Sequence, residues 1–243
     1  MIALFRKEIA GFFSSLTGYI VIAVFLLATG LFMWVIPGAN NVLDYGYADM
    51  DTFFALAPWV FMFLIPSITM RLFADEKKSG TIELLMTRPI SDLAIVTGKY
   101  LAALTIAVIA LLPTFIYFFS VYRLGNPVGT MDVGGTWGSY LGLFFLAAVF
   151  SAIGLFCSSL TDNTIAAFIL SMVLVVLFFY GFDAASTLLA NRSGEFFLQE
   201  LSIYRHYRSM SRGVIDTRDV VYFLALIALF VSLTRFKLQS RNW

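Results

Sequence analysis

Five uncharged, apolar stretches constrain this chain more than anything else in it: Leu16 to Ile36, Thr52 to Met70, Tyr100 to Tyr122, Trp137 to Leu160 and Asn163 to Phe182. Each approaches or exceeds the length of about 20 residues that a helix needs to cross a hydrocarbon layer about 30 Å thick. A sixth, Val220 to Thr234, is shorter, and spans roughly 220–236 only if Asp219, Arg235 and Lys237 snorkel to the two interfaces. Lipid cannot satisfy backbone N–H and C=O groups, and no stretch alternates with period two, so helices are expected and barrel strands are not. Composition agrees, with 60% apolar and 13% charged residues, against roughly half and a quarter in soluble domains. The expected fold class is an all-α membrane protein with six transmembrane helices. No polar or Pro/Ser-rich stretch is long enough for a linker, so residues 1–243 read as one membrane domain.

Basic residues orient the spans. Arg6 and Lys7, then Arg71, Lys77, Lys78, Arg88 and Lys99, and finally Arg235, Lys237 and Arg241 place both termini and the loop after span 2 in the cytoplasm. The loop PGANNVLDYGYADMD lacks Lys and Arg, and the loop after span 3 has only Arg123, so both belong outside. Arg192, Arg205, Arg208, Arg212 and Arg218 oppose this scheme, because they fall on the outer side between spans 5 and 6. The conflict is resolved if much of Glu195 to Arg212 is a short interfacial or re-entrant helix packed against the outer ends of the spans. Its candidate residues are Phe197, Leu201, Tyr204, His206, Arg212 and Gly213. At the N-terminus, Ile2, Phe5, Ile9, Phe12 and Phe13 repeat at helical spacing while Arg6, Lys7 and Glu8 take the other side, as in an interfacial amphipathic helix. That segment has no small-residue cleavage site and is not expected to be a cleaved signal peptide.

Several chemistries find no residues here. The spans hold almost no ionisable side chain, whereas ion-coupled transporters need such groups at membrane depth. H-E-x-x-H, G-x-S-x-G and G-x-x-x-x-G-K-[ST] are all missing, and His206 is the lone histidine, so no catalytic, metal or nucleotide site is assigned to this chain. A net charge of +1 gives no footprint for nucleic acid. Cys157 reads as a small buried hydrophobe. Pro58, Pro66 and Pro113 should kink their helices. Gly138 and Gly142, continued by Ala148, Ala152, Gly154 and Ser158, allow close helix contact, within one chain or between two.

The densest charge lies between spans 2 and 3, in FADEKKSGTIELLMTRPIS. After Gly80, the residues Ile82, Leu85 and Met86 share one face of about two helical turns. Gly80 can cap that helix with Glu83 three residues on, and Pro89 stops it. A short rigid helix there suits docking into a groove of a soluble partner. This loop resembles the coupling-helix loop of the type 2 ABC transporter permeases, the ABC-2 family, through Glu76, Lys77, Lys78, Gly80, Thr81, Glu83, Leu84, Leu85 and Pro89. SRGVIDTRDVVYFL, from Ser211 to Leu224, is similar to the family's approach to its last span, which follows a periplasmic re-entrant hairpin. LFRKEIAGFFSSLTGYI is similar to its amphipathic connecting helix. Within the family the chain looks most like the GldF-type permease of gliding-motility-associated transporters of Bacteroidota; permeases for copper-enzyme maturation are close relatives. The resemblance implies a bacterial inner-membrane complex of two permease copies, a separate GldA-like ATPase that holds the ATP and Mg, and an accessory GldG-like membrane subunit with a periplasmic part. It implies ATP-driven export, or force transmission without cargo, with no cofactor on this chain.

Overall fold

The computed structural model describes residues 1–38, 40–87, 90–187, 198–213 and 215–240, and within them every regular element is a helix. Six helical segments are long and apolar enough to cross a membrane: Leu16–Trp34, Asp51–Lys78, Asp92–Leu124, Val133–Leu160, Thr164–Ser186 and Thr217–Gln239. They are numbered spans 1 to 6. Helix α1 (Ile2–Phe13) precedes span 1, which is α2 (Leu16–Trp34), and a single turn α3 (Val42–Tyr45) follows it. Span 2 comprises α4 (Asp51–Thr69) and α5 (Arg71–Lys78), with α6 (Thr81–Met86) beyond it; span 3 comprises α7 (Asp92–Leu111), a 3-10 turn and α8 (Phe115–Leu124). Span 4 is α9 (Val133–Leu160). Span 5 comprises α10 (Thr164–Val176), a π turn (Leu177–Gly181) and α11 (Phe182–Ser186). After α12 (Ile203–Met210), span 6 is α13 (Thr217–Gln239).

Spans 2, 3 and 6 are longer than their uncharged stretches, because each continues through a polar turn that the surrounding helices accommodate. Span 6 has 23 residues and begins at Thr217, where the Asp216 carboxylate caps the Arg218 N–H at 2.9 Å; Asp219 is buried in its first turn, and Arg235 and Lys237 are exposed near its end. Ser15, Ser91, Asp132 and Asn163 cap spans 1, 3, 4 and 5 in the same way, satisfying amide groups that lipid would leave bare.

Span 4 is the axis of the bundle. Its most apolar window is 78% buried, against 22% in spans 1, 5 and 6, whose outer faces remain for lipid. Its small residues make this possible, and the partners they meet are in the same chain. A Cβ on Gly138 would lie 2.8 Å from the Gly213 Cα, one on Gly142 3.1 Å from the Met210 Cβ, and one on Gly154 would collide with the Thr69 hydroxyl. Span 4 thus receives α12 and its following turn at one end and span 2 at the other.

Two of the prolines have visible consequences. Pro58 has no N–H for the Phe54 carbonyl, and the Tyr207 hydroxyl of α12 donates to that oxygen instead, at 2.6 Å. At Pro113 the helix tightens to a 3-10 turn over Leu112–Thr114, and the Leu112 N–H reaches both Ile109 and Val108 oxygens.

Candidate functional site

The loop between spans 2 and 3 is built outward from span 4. Ser158 sits at the break between α4 and α5. Its hydroxyl donates to the Met70 carbonyl at 2.9 Å and accepts the Phe73 and Ala74 N–H groups at 3.0 and 3.2 Å, so the break leaves few orphaned backbone groups. The Lys77 ammonium donates to the Ser159 carbonyl at the end of span 4. Lys78 is exposed. Helix α5 ends at Ser79, and Gly80 then takes φ 70°, a left-handed conformation that reverses the chain into α6. A Cβ there would meet nothing within 4 Å, so backbone conformation alone constrains the position.

In α6, Ile82 is buried and Leu85 half-buried against the bundle. Thr81, Glu83 and Leu84 point away from it, and the Leu84 side chain is 68% exposed. The free face of α6 is therefore Glu83 and Leu84, while the Thr81 hydroxyl bonds back to the Ser79 hydroxyl at 2.8 Å and the Glu76 carbonyl at 3.4 Å; Met86 is the last residue of the helix. No side-chain bond from Glu83 back to Gly80 completes the capping box. Pro89, the expected stop, lies outside the described residues.

Behind this face lies an ion cluster that sequence reasoning did not assemble. Lys99, in α7, is completely buried. Its ammonium is 2.7 Å from Glu8 Oε1 of α1, 3.0 Å from Glu76 Oε2 of α5, and 2.5 Å from the Leu72 carbonyl, with the Phe73 ring 5.0 Å away. The Glu8 and Leu72 contacts are hydrogen bonds, whereas the Glu76 contact is electrostatic, without hydrogen-bond geometry. Lys7 closes the cluster with a 2.8 Å bond to Glu76 Oε1. Burial lowers the Lys7 pKa, but that bond and the charges of Glu76 and Glu8 outweigh it and hold it above the ordinary lysine range.

Two expectations change as a result. Glu8, expected with Arg6 and Lys7 on the wet side of the N-terminal helix, turns inward, where the buried Lys99 ammonium lies 2.7 Å from its carboxylate. Glu76, which the resemblance puts among the partner-facing residues, is buried and paired within the chain. Elsewhere in α1, Leu4, which is not on the expected apolar face, is buried against α7; Phe5 and Phe12 are half-buried, and Ile2 and Arg6 are exposed. The signal for Lys99 was its register. Ile95, Val96, Ala102 and Ala103 stand three and four residues away on one buried face, and a lysine there must be neutralised from outside its own helix.

At the opposite end of the bundle, α12 is docked by three bonds from three elements. Besides Tyr207 to Phe54, Ser139 donates to the Ser211 carbonyl at 2.8 Å, and Ser202 donates to Phe179 in the π turn at 3.0 Å. Gly213, at φ 78°, turns the chain so closely over span 4 that a Cβ would strike the Gly135 Cα. The expected re-entrant residues divide accordingly: His206 is buried, Tyr204 half-buried, and Leu201 and Arg212 exposed, while Phe197 lies outside the described residues. Between α12, the start of α4, the start of span 4 and the π turn lies a cavity of about 900 Å³. Trp59, Phe179, Tyr180 and Tyr204 form an aromatic side, and Asp49, Asp51, Asp132, Arg208 and Arg212 bring both signs of charge to its lining. Burial raises the Asp49 pKa above the usual carboxylate range, partly offset by the Asp51 N–H, with the Asp51 charge adding to the rise.

Among the described residues, no group of three or more His, Cys, Asp or Glu side chains could hold a metal ion. A family model described as "ABC-2 family transporter protein" matches residues 3–239. No curated protein matches the chain.

Proposed function

Because the chain belongs to the ABC-2 family of transporter membrane proteins, we propose that it is a permease subunit whose α6 receives the stroke of a separate ABC ATPase on the cytoplasmic side. ATP and Mg bind that partner, and this chain contributes movement of its helices. The observation that carries the reading is the free face of Glu83 and Leu84, held on a left-handed glycine at the end of a span whose Glu76 and Lys77 are already engaged within the chain. A helix placed in this way has no packing role left for those two side chains, whereas the Thr81 hydroxyl is bonded to Ser79 and Glu76 at the end of α5. Pushing on it moves α5, and α5 is bonded to span 4 through Ser158 and Lys77 and to α1 and α7 through Lys99.

In this reading α1 lies in the inner interface, the termini are cytoplasmic, and α12 lies at the outer face of a bacterial inner membrane. Two permease copies, a GldA-like ATPase and a GldG-like subunit complete a gliding-motility-type complex. The cavity beside α12 favours export of an amphipathic cargo over force transmission alone, because it combines aromatic and charged walls at the outer end. The test is Glu83→Arg. The variant should insert and fold, yet lose co-purification with the ATPase or the stimulated turnover, since a charge-assisted bond contributes about 1.5 to 3 kcal/mol. Retention of both partner and turnover would remove α6 from the mechanism.

A further inference from the structure

His206, on α12, is placed between two oxygen acceptors. Its Nδ1 lies 2.7 Å from Asp219 Oδ1 in span 6, and its Nε2 lies 3.0 Å from the Glu200 carbonyl. A neutral imidazole has one N–H and one lone pair, so in either tautomer one nitrogen would present its lone pair to an oxygen. Both contacts are satisfied only if the His206–Asp219 pair holds one additional proton, as imidazolium with carboxylate or as imidazole with carboxylic acid. Ring and carboxylate are both buried, with residue exposures of 7% each, and Asp219 Oδ2 has no partner of its own. The Tyr222 ring stacks on the imidazole at 3.9 Å and 20°, which favours a cationic ring, while its hydroxyl donates to the Leu201 carbonyl at 2.6 Å.

We propose that the His206–Asp219 pair is a proton-binding site, and that its proton completes a three-way clamp of α12 on the turn 198–201 and on the first turn of span 6, so that pH on that side of the membrane sets how firmly α12 is docked. The pair joins three pieces of chain: the helical turn 198–201 through the Glu200 carbonyl, α12 through His206, and span 6 through Asp219 and Tyr222. The three other bonds that dock α12, from Tyr207, Ser139 and Ser202, are hydroxyl to carbonyl and do not titrate near neutrality. The charged and titratable groups around the ring, among the described residues, are Glu200, Arg205, Arg218, Asp219 and Tyr222. Glu200 is engaged with Arg205 at 3.2 Å, which leaves Asp219 as the counter-charge of the ring. The direction follows from which form is bonded. The clamp is complete while the pair keeps its proton and is weakened as rising pH removes it, because the neutral ring can keep its Nδ1–H bond to Asp219 only by turning the Nε2 lone pair to the Glu200 carbonyl, so that the charge-assisted link to the turn 198–201 is lost. Tyr204, Tyr207 and Arg208 of α12 line the outer cavity, so loosening α12 loosens one wall of that cavity. The inference stands on this geometry and does not depend on the coupling role of α6.

His206 is the only histidine in the chain, so ring-¹⁵N-labelled protein carrying a histidine-free tag gives an unambiguous signal. The full chain in nanodiscs is titrated while amide-exchange protection of α12, corrected for intrinsic rates, is followed in parallel. At pH 7 the expected ring signal shows both nitrogens protonated, or one of them sharing a proton with the carboxylate. Loss of that signal should coincide with a fall of about tenfold or more in α12 protection, as expected for losing a charge-assisted bond. In Asp219→Asn the ring should be neutral at pH 7 and α12 weakly protected throughout the titration. A single neutral tautomer in the unaltered chain at pH 7 with no shared proton overturns the proposal. So does a normal ring titration that leaves α12 protection unchanged. Should Asp219→Asn fail to fold, the titration of the unaltered chain decides alone.

Discussion

Replacing Lys99 with Met keeps the length of the side chain and removes its charge. In the unaltered protein the ammonium is fully buried and answers Glu8, Glu76 and the Leu72 carbonyl at 2.7, 3.0 and 2.5 Å. Lys99→Met leaves two carboxylates whose side chains are only 15% and 10% exposed. Removing one partner of a buried pair costs about 3–5 kcal/mol, chiefly because the other charge stays behind. Lys7 remains 2.8 Å from Glu76 and 3.9 Å from Glu8, but its side chain is 63% exposed, so it offsets only part of the loss. The expected cost is therefore near the lower end, about 3 kcal/mol. For a chain of this size about 1 kcal/mol corresponds to a shift of about 2–4 °C, so Tm should fall by about 6 °C or more. Cys157 is the single cysteine and is buried, which makes a thiol-reactive dye in detergent a direct reporter of unfolding. Adding Glu8→Gln and Glu76→Gln to Lys99→Met should recover most of the loss, since no buried charge is then left unpaired. Unfolding of Lys99→Met within about 1 °C of the unaltered protein, or a triple variant weaker than the single one, would refute the view that these charges hold α1, α5 and α7 together.

Tyr207→Phe should destabilise by about 1–3 kcal/mol, because the Phe54 carbonyl is then buried without a donor, and Pro58→Ala in the same chain should return much of that by restoring the helical N–H; the dye-monitored Tm of the two single variants and the double variant checks it. Gly80→Val should uncouple while Gly80→Asn is tolerated better, because the site demands φ 70° but leaves space for a side chain; stimulated ATPase turnover of the partner in the two variants measures the difference.

The six helices were legible because lipid imposes length and apolarity on contiguous residues, and α6 because Gly80 and the apolar spacing of Ile82 and Leu85 are local. The expectation for Glu195 to Arg212 comes from arginines that oppose the charge scheme; of that segment residues 198–212 are described, and α12 within it is bonded to spans 2, 4 and 5. What sequence pattern did not reveal depends on residues far apart in the chain. Glu8 and Lys99 are separated by 91 positions, and nothing in the pattern of α1 distinguishes Glu8 from Lys7 beside it. Glu76 lies in the most charged stretch of the chain, so the loop concealed that one of its carboxylates is buried. The first turn of span 6 lies outside the apolar stretch because it carries Asp219, which is buried with His206 2.7 Å away from it. The same limit applies to Pro58: its missing donor is readable, but Tyr207, which replaces it, stands 153 residues after Phe54, whose carbonyl it bonds.

The central claim is that the outward face of α6 meets an ATPase, and a photo-crosslinking residue placed alternately at two neighbouring positions tests it most directly. Leu84 is 68% exposed and Ile82 7% exposed on the same short helix, so a crosslinker at Leu84 should capture the ATPase in native membranes, and one at Ile82 should react only within this chain. Capture from Ile82 but not Leu84, or from neither while the complex remains intact, would contradict the assignment of α6 as the contact through which ATP hydrolysis moves this bundle.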